Sequence, residues 1–245
     1  MISPRRVNSR RRSTKRKIVF RSSDAGHRLL YDTAFNGPWT LTGYSLSSPE
    51  KVTNIVTIPG KDGELDLAYA LTGEPTFKSR KLTISLENSD GLKADREALI
   101  TDLYNRLEGK YLRIHLPDDE THYLSGSVHV NVLYSDTNHC ALDIICTVDP
   151  YKEAVDEVFM DLTASSSDQI VILVNHGGRR VIPKISAYAT GGATPSISVS
   201  CGTWSAQPTA DTIMPEALAM RYGEEKVLTY SGSGHLVIHW READL

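Results

Sequence analysis

Cysteine is scarce in this chain. Among 245 residues there are only Cys140, Cys146 and Cys201, with no C-x-x-C spacing. An odd count at these spacings argues against a zinc ribbon and against a disulfide framework. Cys140 and Cys146 are six residues apart, so on one strand they would share a face and lie too far apart to bond to each other. The sequence therefore predicts reduced, mostly buried thiols, as expected of a protein assembled in a cytoplasm.

Long apolar runs are also missing. Residues 170–174 form one of the longest, far short of the about 20 apolar residues that a membrane helix needs, so no membrane partner is expected. Only Ile18, Val19 and Phe20 follow the basic N-terminal residues, which is too short for a secretory signal. Hydrophobic content of 40% and charged content of 23% are ordinary for a globular protein. The length allows one large domain or two of common size.

Catalytic motifs are absent as well. Residues 176–178 read His-Gly-Gly, as in some esterase oxyanion loops, but the chain has no G-x-S-x-G pentapeptide. Residues 60–63 lack the order of a phosphate-binding loop. The acidic residues 118–120 with His122 lack the spacing of a calcium loop. The sequence predicts no enzyme, no cofactor and no metal site, although carboxylates brought together by folding keep glycan hydrolysis as a minor hypothesis.

Charge is distributed unevenly. Acids are missing from residues 1–23, which hold nine basic side chains, Arg5, Arg6, Arg10, Arg11, Arg12, Lys15, Arg16, Lys17 and Arg21. The remaining residues carry 18 basic and 30 acidic side chains, so the body should not bind nucleic acid through bulk charge. We predict that residues 1–23 are a disordered extension. It is solvated, or binds an acidic partner or nucleic acid, or serves as a targeting segment, and the sequence leaves these three open.

The most informative segment runs from Thr57 to Glu87. A strand breaks at Pro59-Gly60, and the pair Asp62-Gly63 suits the positive φ of a tight hairpin turn. Further on, Leu82, Ile84 and Leu86 alternate with polar residues, which indicates a strand with one buried face. We interpret the segment as a β arm, a structure that binds neighbouring backbones.

The rest of the chain alternates between one helix and many short strands. Apolar residues at helical spacing predict a helix over about 92–108, capped by Gly109. Alternation over 128–134 and 142–148 predicts a hairpin with Val128, Val130, Val132 and Tyr134 on one face. A domain boundary is expected after Lys152. Beyond it, strands are predicted over 157–163, 169–174, 184–189, 196–201, 226–230 and 236–240. Their spacing is typical of an antiparallel sandwich.

Taken in order, these features resemble the distal tail protein (Dit) family of long-tailed bacteriophages. The resemblance rests on Ile58, Pro59, Gly60, Asp62, Gly63, Leu65, Asp66, Leu67, Gly73, Phe77, Arg80, Leu82 and Ile84. It continues into residues 39–49, 107–110, 123–126 and 149–152, and more loosely into residues 240–242.

The resemblance implies a mainly β fold with one long helix. The N-terminal domain, residues 24–152, would be a β-barrel or sandwich-like domain carrying the arm. Residues 153–245 would form a galectin-like β-sandwich. Six copies would close a ring at the distal end of the virion tail, after assembly in the host cytoplasm. The ring would join the tail tube to the baseplate and the host-adhesion apparatus. The implied partners are the tail tube protein, the tape-measure protein, the tail-associated hub or lysin protein and receptor-binding proteins, while DNA passes through the channel without specific binding.

Two predictions concern individual residues. The arm residues that would contact a neighbouring copy are Ile58, Pro59, Gly60, Asp62, Gly63, Leu65, Asp66 and Leu67, with Arg80 pairing an acid such as Asp66. The alternative function is a carbohydrate-binding adhesion module, for which Trp204, beside polar residues, is the candidate glycan contact. Trp240 alternates with Leu236 and Ile238, so we expect it in a core.

Overall fold

The computed structural model describes residues 17–34, 39–60, 62–89, 93–136, 139–189 and 195–245, apart from the side chains of 70–72 and 93. Most of these residues lie in antiparallel strands, which confirms the predicted mainly β fold. The strands are β1 (Val19–Ser22), β2 (Leu29–Asp32), β3 (Thr40–Leu46), β4 (Ile55–Thr57), β5 (Glu64–Asp66), β6 (Arg80–Asn88), β7 (Tyr111–Leu116), β8 (Asp119–Ser135), β9 (Cys140–Val148), β10 (Lys152–Ala154), β11 (Val158–Ala164), β12 (Gln169–Val174), β13 (Lys184–Tyr188), β14 (Ser196–Cys201), β15 (Trp204–Ala206), β16 (Glu225–Trp240) and β17 (Ala243–Asp244). The helices are α1 (Leu67–Thr72), α2 (Lys93–Leu107) and a single 3-10 turn, Glu216–Leu218.

The N-terminal half is built on one antiparallel sheet with the strand order β2-β1-β7-β8-β9-β6-β3. In β6 the predicted alternation is confirmed, because Leu82, Ile84 and Leu86 are all fully buried. The helix α2 packs against β8 and β2, and its residues Leu103 and Leu107 enter the same core. The predicted helix is thus confirmed, with its bounds at Lys93–Leu107.

The first strand corrects the predicted extension. Residues 19–22 were assigned to a disordered segment, yet they form β1 between β2 and β7. The physical reason is that Ile18 and Phe20 are fully buried in the core, so this short apolar run stabilises an ordered strand. Most of the predicted extension, residues 1–16, lies outside the described part of the chain.

The β8–β9 hairpin is confirmed with one change. Val128 faces Cys146, Val130 faces Ile144 and Val132 faces Leu142, as the alternation predicts. The register shifts between Val132 and Tyr134, which is a β-bulge. Because the extra residue reverses the alternation, Tyr134 leaves the buried face and is 47% exposed.

The C-terminal half is a sandwich held together by the strand β16. Its first part pairs with β12 and β14, and its second part pairs with β11 and β13. The side chains between the two layers form a second core that includes the buried Trp240, as predicted. The sequence indicated two strands here, at 226–230 and 236–240, because Ser231-Gly-Ser-Gly is typical of a turn. Instead, one strand crosses from one layer to the other.

Two glycines make that crossing possible. Gly232 has a φ of 132° and Gly234 a φ of 127°, values that side chains with a Cβ rarely adopt. A Cβ on Gly232 would also collide with the carbonyl oxygen of Ser196 on β14. The glycines therefore bend β16 and allow β14 to approach it closely, and they do not end the strand.

The two halves are joined by a small extension of the first sheet. The strand β10 pairs with β8 on one side and with β17 on the other. Ala243 of β17 is 2% exposed, and its carbonyl oxygen accepts a hydrogen bond from the Arg179 amide. The chain therefore returns at its C-terminal end to the N-terminal sheet, and the boundary predicted after Lys152 falls inside β10.

The cysteines have the predicted locations. Cys140 and Cys146 are free thiols, both buried on β9, and Cys201 is a free, half-buried thiol on β14. Burial raises the pKa of the Cys146 thiol to about 12, so it stays protonated. Across the described ranges, neither helix has the length and apolar character that a membrane crossing requires.

Candidate assembly surface

The predicted arm begins where two segments pair outside the main sheet. The amide of Val52 donates a hydrogen bond of 2.8 Å to the carbonyl oxygen of Thr76. The amide of Lys78 donates one of the same length to the carbonyl oxygen of Glu50. Between these bonds, Lys51 and Phe77 form an antiparallel bridge. Residues 50–78 thus leave and re-enter the domain at one place, and we call them the arm.

The distal part of the arm is a hairpin. Val56 on β4 faces Leu65 on β5, with one further pair on each side of it. Both Gly60 and Gly63 in the connecting segment have a φ of 82°, the left-handed conformation that glycine adopts at no steric cost. The positive φ predicted for Gly63 is therefore present, but the connection from β4 to β5 runs over residues 58–63 and is longer than the tight turn that was predicted. Lys61 within it lies outside the described residues.

Asp66 fastens the hairpin to the helix that follows. One carboxylate oxygen accepts hydrogen bonds from the amides of Asn54 and Ala68, each at 3.1 Å, so Asp66 is the N-cap of α1. The other oxygen lies 2.9 Å from Lys51 Nζ. The hydrogen bond from Lys51 is the largest of the effects that lower the pKa of Asp66 below its ordinary value. Residue 66 is therefore a structural joint of the arm.

Within the described chain, the arm exposes several large apolar side chains. Ile55 is 56% exposed and Tyr69 is 51% exposed, with Val56 and Ile58 at 38% and 37%. Among the strands that the structure describes, β4 and β5 pair only with each other, so each has one edge without a strand partner. A two-stranded hairpin is marginal by itself, and open strand edges favour pairing with another chain.

The structure gathers most of the predicted contact residues at the end of the arm. Five of them are exposed, namely Ile58, Pro59, Gly60, Asp62 and Gly63. The other three, Leu65, Asp66 and Leu67, are half-buried. Sequence reasoning did not include Ile55, Val56 and Tyr69 among the contact residues. Ile55 and Val56 belong to the apolar run before the turn, and this run could have indicated them. It also missed α1, whose Asp N-cap and Gly73 C-cap are visible in the sequence.

Arg80 does not belong to this group. It was predicted to pair with an acid such as Asp66, but within this chain Asp66 binds Lys51 instead. Arg80 lies on β6, is 8% exposed, and donates through Nε to the Ser47 carbonyl oxygen at 2.8 Å. Burial lowers the pKa of its guanidinium group. Its role here is to satisfy backbone carbonyls beside the root of the arm.

The root of the arm also contacts the C-terminal half. Glu74 accepts a hydrogen bond from Arg221 Nε at 2.7 Å and lies 3.9 Å from Arg180 Nε. Phe77 contacts the Tyr151 ring edge-on, with the ring centroids 6.0 Å apart. The arm is thus fixed at its base and exposed at its tip. No local sequence signal indicates these contacts, because their partners lie far along the chain.

The other candidate residues have structural roles in the described chain. His176 and Gly178 donate backbone hydrogen bonds to Glu242 and Asp244, so the His-Gly-Gly segment holds the C-terminal end of the chain. Trp204 is half-buried and packs against the second core. In the described ranges, no three His, Cys, Asp or Glu side chains are grouped as metal ligands.

Asp119 is the most perturbed of the acidic groups. Burial by itself would raise the pKa of this carboxyl group. Hydrogen bonds from His122, Lys152 and Thr121 outweigh that effect and lower the pKa to about 2. Since Lys152 lies on β10, this ionised cluster supports the connection between the two halves of the chain.

Fold and surface together define a class: a two-part β protein with an exposed arm, suited to bind other protein chains. Among solved structures, the chain is similar to the Dit protein (gp 19.1) of phage SPP1, described as a paradigm of the hub adsorption apparatus in phages that infect Gram-positive bacteria. The TM-score is 0.60 at 14% identity, and the match covers 91% of this chain and 98% of that chain. The predicted resemblance to Dit proteins is therefore confirmed at the level of the fold.

Chains from two structures of the phage p2 baseplate in its activated conformation are more distant. The one with strontium has a TM-score of 0.44 at 8% identity and covers 93% of this chain and 97% of that chain. The one with calcium has a TM-score of 0.46 at 9% identity and covers 94% and 98%. No protein-family model and no curated protein sequence matches the chain.

Proposed function

We propose that this protein is a structural component of a phage or prophage tail tip, where copies of the chain form a ring between the tail tube and the host-adhesion apparatus. The observation that carries the proposal is the arm, with its open strand edges and exposed apolar side chains. The fold shared with the SPP1 hub protein over nearly the whole of both chains supports it.

The arm acts by strand addition to a neighbouring copy. The sheet of the N-terminal half ends in β2 on one side and β3 on the other, so it has two edges where backbone groups await a partner. An arm that pairs with such an edge gains main-chain hydrogen bonds and covers Ile55 and Val56 at the same time. The contact is head-to-tail, because the arm and the edge are different surfaces of the chain.

Head-to-tail contacts close into a ring when the rotation between copies divides a full turn. Six copies are the number that the sequence resemblance implies. Closure consumes every arm and every receiving edge, which prevents open-ended strand pairing. The tail tube, tape-measure, hub or lysin and receptor-binding proteins are the partners proposed for the two faces and the rim of this ring.

The protein works by assembly and transforms no substrate. The perturbed groups of the described chain have structural explanations, since Asp119 holds a junction and Tyr123 donates a hydrogen bond to Glu153 at 2.6 Å. The carbohydrate-binding alternative gains no support, because the candidate side chain of Trp204 packs against the second core. The galectin-like character of the C-terminal half stays a prediction.

The test is the solution mass of the purified chain and of two matched variants. Ile55→Asp places a charge on the arm, whereas Ile170→Asp places the same charge on a strand of the C-terminal half. The two isoleucines are 56% and 68% exposed, so neither change disturbs a core. Light scattering should give a ring mass for the wild-type chain and for Ile170→Asp, and a single-chain mass for Ile55→Asp.

Negative-stain images of the same samples show whether the larger species is a closed ring. A wild-type chain that stays single at all concentrations, or an Ile55→Asp variant that still forms rings, would contradict the proposed role of the arm.

A further inference from the structure

A large cavity lies on the N-terminal sheet, away from the arm. Its volume is about 990 Å³, and it is lined mainly by β1, β7 and the segments beside them. Its basic residues include Arg21, His27, Arg113 and His115, which we call the basic cluster. The body of the chain is acidic, so a concentration of basic groups in a concave surface is a local exception to the overall charge.

Two arginines of the basic cluster face each other across neighbouring strands. In the β1–β7 register, Arg21 stands directly opposite Arg113. Like charges at directly opposite positions destabilise a sheet. In the described part of the chain, neither guanidinium group forms an ion pair with a carboxylate. The strand pairing thus holds two positive charges together without an internal counter-charge.

His27 extends the cluster from a loop with an uncommon conformation. Its φ is 43°, the only positive value among the described residues other than glycine. This conformation brings the ring to Arg113, with 2.9 Å between His27 Nε2 and the Arg113 Nη1 that donates to it. The carbonyl oxygen of His27 accepts a hydrogen bond from Arg21 Nη1 at 3.2 Å. One strained residue therefore orients both arginines, and backbone strain of this kind concentrates at functional sites.

A tyrosine fixes the plane of the second arginine. The Arg113 guanidinium carbon lies 4.6 Å from the centre of the Tyr123 ring, which is a cation–π contact. The Tyr123 ring also contacts His115, with the centroids 5.7 Å apart. Besides burial, the charges of Arg21, Arg113 and His27 lower the pKa of His115, as expected if these groups converge on one space.

In the part of the chain that the structure describes, the other charged groups that line the cavity form no ion pair with Arg21 or Arg113. Lys17 pairs with Asp32, at 3.8 Å. Asp118 accepts a hydrogen bond of 2.5 Å from the Tyr44 hydroxyl. Glu120 is exposed at the margin and lies in no ion pair within the described ranges. The cavity therefore has a positive wall with oriented donors and a partly apolar remainder formed by residues such as Val19, Leu116 and Val155.

We infer that the basic cluster is a binding site for a phosphate or sulfate group. Guanidinium groups are the preferred donors for phosphate, and charge-assisted hydrogen bonds to such an anion are about twice as strong as neutral ones. A tetrahedral anion between Arg21 and Arg113 supplies the missing counter-charge and removes the repulsion between the strands. The group is carried either by a free ion or by a phosphodiester backbone.

The test is titration of the purified full chain with inorganic phosphate, followed by calorimetry and by thermal unfolding at constant ionic strength. We expect saturable binding of one phosphate per chain and a rise in the melting temperature. Arg21→Gln and Arg113→Gln should each weaken binding about tenfold or more, because each removes a charge-assisted bond. Arg28→Gln is the matched control, because Arg28 lies in the same loop region but does not line the cavity.

The variants separate specific binding from general effects. Sulfate and phosphate stabilise most proteins by exclusion from their surface, and that contribution should be the same in all four chains. Binding that is absent in the wild-type chain, or lost equally in Arg28→Gln, would overturn the inference. Acetate that binds as tightly as phosphate would also overturn it, since the site would then be one for carboxylates.

A competition experiment identifies the source of the phosphate group. A short single-stranded oligodeoxynucleotide that displaces phosphate from the wild-type chain and binds more weakly to Arg113→Gln indicates a phosphodiester ligand. An oligonucleotide that leaves bound phosphate in place indicates a free ion. The basic residues 1–16 are unchanged in every variant, so their own affinity for nucleic acid cancels in the comparison.

Discussion

At the scale of single residues, several charged side chains of this protein connect neighbouring elements through hydrogen bonds and ion pairs. Asp66 caps α1 and binds Lys51, so it connects the two strands of the arm with the helix. Arg80 satisfies backbone carbonyls next to the arm. Asp119 connects the end of β8 to Lys152 at a distance of 3.2 Å. In each case a charged group is retained because backbone or side-chain partners surround it.

Replacing Asp119 by Asn should make stability less dependent on pH. The folded pKa of Asp119 is about 2, against an ordinary value of 3.8. The ionised group therefore stabilises the fold above pH 4, and this contribution disappears as the pH falls from about 4 to about 2. We expect Asp119→Asn to lower the free energy of unfolding by about 2 kcal/mol at pH 7 and by little near pH 2.

Urea unfolding of both chains at pH 7, 5, 4 and 3 measures this difference. Asp168→Asn is the control, because it makes the same substitution at an exposed residue. A constant difference between wild type and Asp119→Asn at all four values would show that the carboxylate charge is not what matters.

At the scale of secondary-structure elements, glycines decide where strands turn and where they continue. Gly63 and Gly60 adopt a left-handed conformation and close the β4–β5 hairpin. Gly232 and Gly234 also have positive φ, but there the strand pairing continues on both sides and β16 crosses between two layers. The same residue type therefore has opposite consequences, according to whether neighbouring strands remain within hydrogen-bonding distance.

Gly63→Val should disrupt the hairpin, because a β-branched residue at a φ of 82° is strained. Asn tolerates this conformation better than other residues with a Cβ, so Gly63→Asn should retain most of the wild-type behaviour. Hydrogen exchange of the β4 and β5 amides should accelerate in Gly63→Val alone, and its ring mass should shift toward that of a single chain. Equal exchange and equal mass in both variants would contradict the assigned turn.

At the scale of the whole molecule, the two halves share a junction built from distant parts of the sequence. The strand β10 bridges β8 and β17, and Arg241 extends over the Tyr123 ring at 5.7 Å. Glu74 at the root of the arm adds contacts to Arg180 and Arg221. The arm, the sheet and the sandwich are therefore connected by side-chain and backbone contacts.

This junction should make the two halves unfold together. We expect a single thermal transition for the wild-type chain under conditions where it is not assembled. Ala243→Asp places a charge at a site that is 2% exposed, and it should separate the curve into two transitions. Leu245→Asp, at a residue that is 43% exposed, is the control and should leave one transition. Calorimetry that shows two transitions already in the wild-type chain would contradict the shared junction.

Local patterns predicted a large part of this architecture. Alternation located β6 and the β8–β9 pair, and helical spacing located α2, because each pattern reflects burial of one face. The predictions were wrong where residues with a turn-like or disordered-like local sequence pair with a strand that is distant in the chain. The polar sequence Ser-Gly-Ser-Gly lies between two predicted strands, but β14 pairs with it. Residues 19–22 were assigned to the extension, although β7 and the core hold them.

What the sequence determined by itself was the class of the protein: antiparallel β structure, one long helix, an arm with glycine turns and a chain without catalytic motifs. These properties follow from periodicity and backbone preference, which act over a few residues. Only the tertiary structure decided the partner of Asp66, the burial of Arg80, the packing of the half-buried Trp204, the crossing of β16 and the opposed arginines of the basic cluster. Such features depend on strand register, which brings together residues that no local spacing connects.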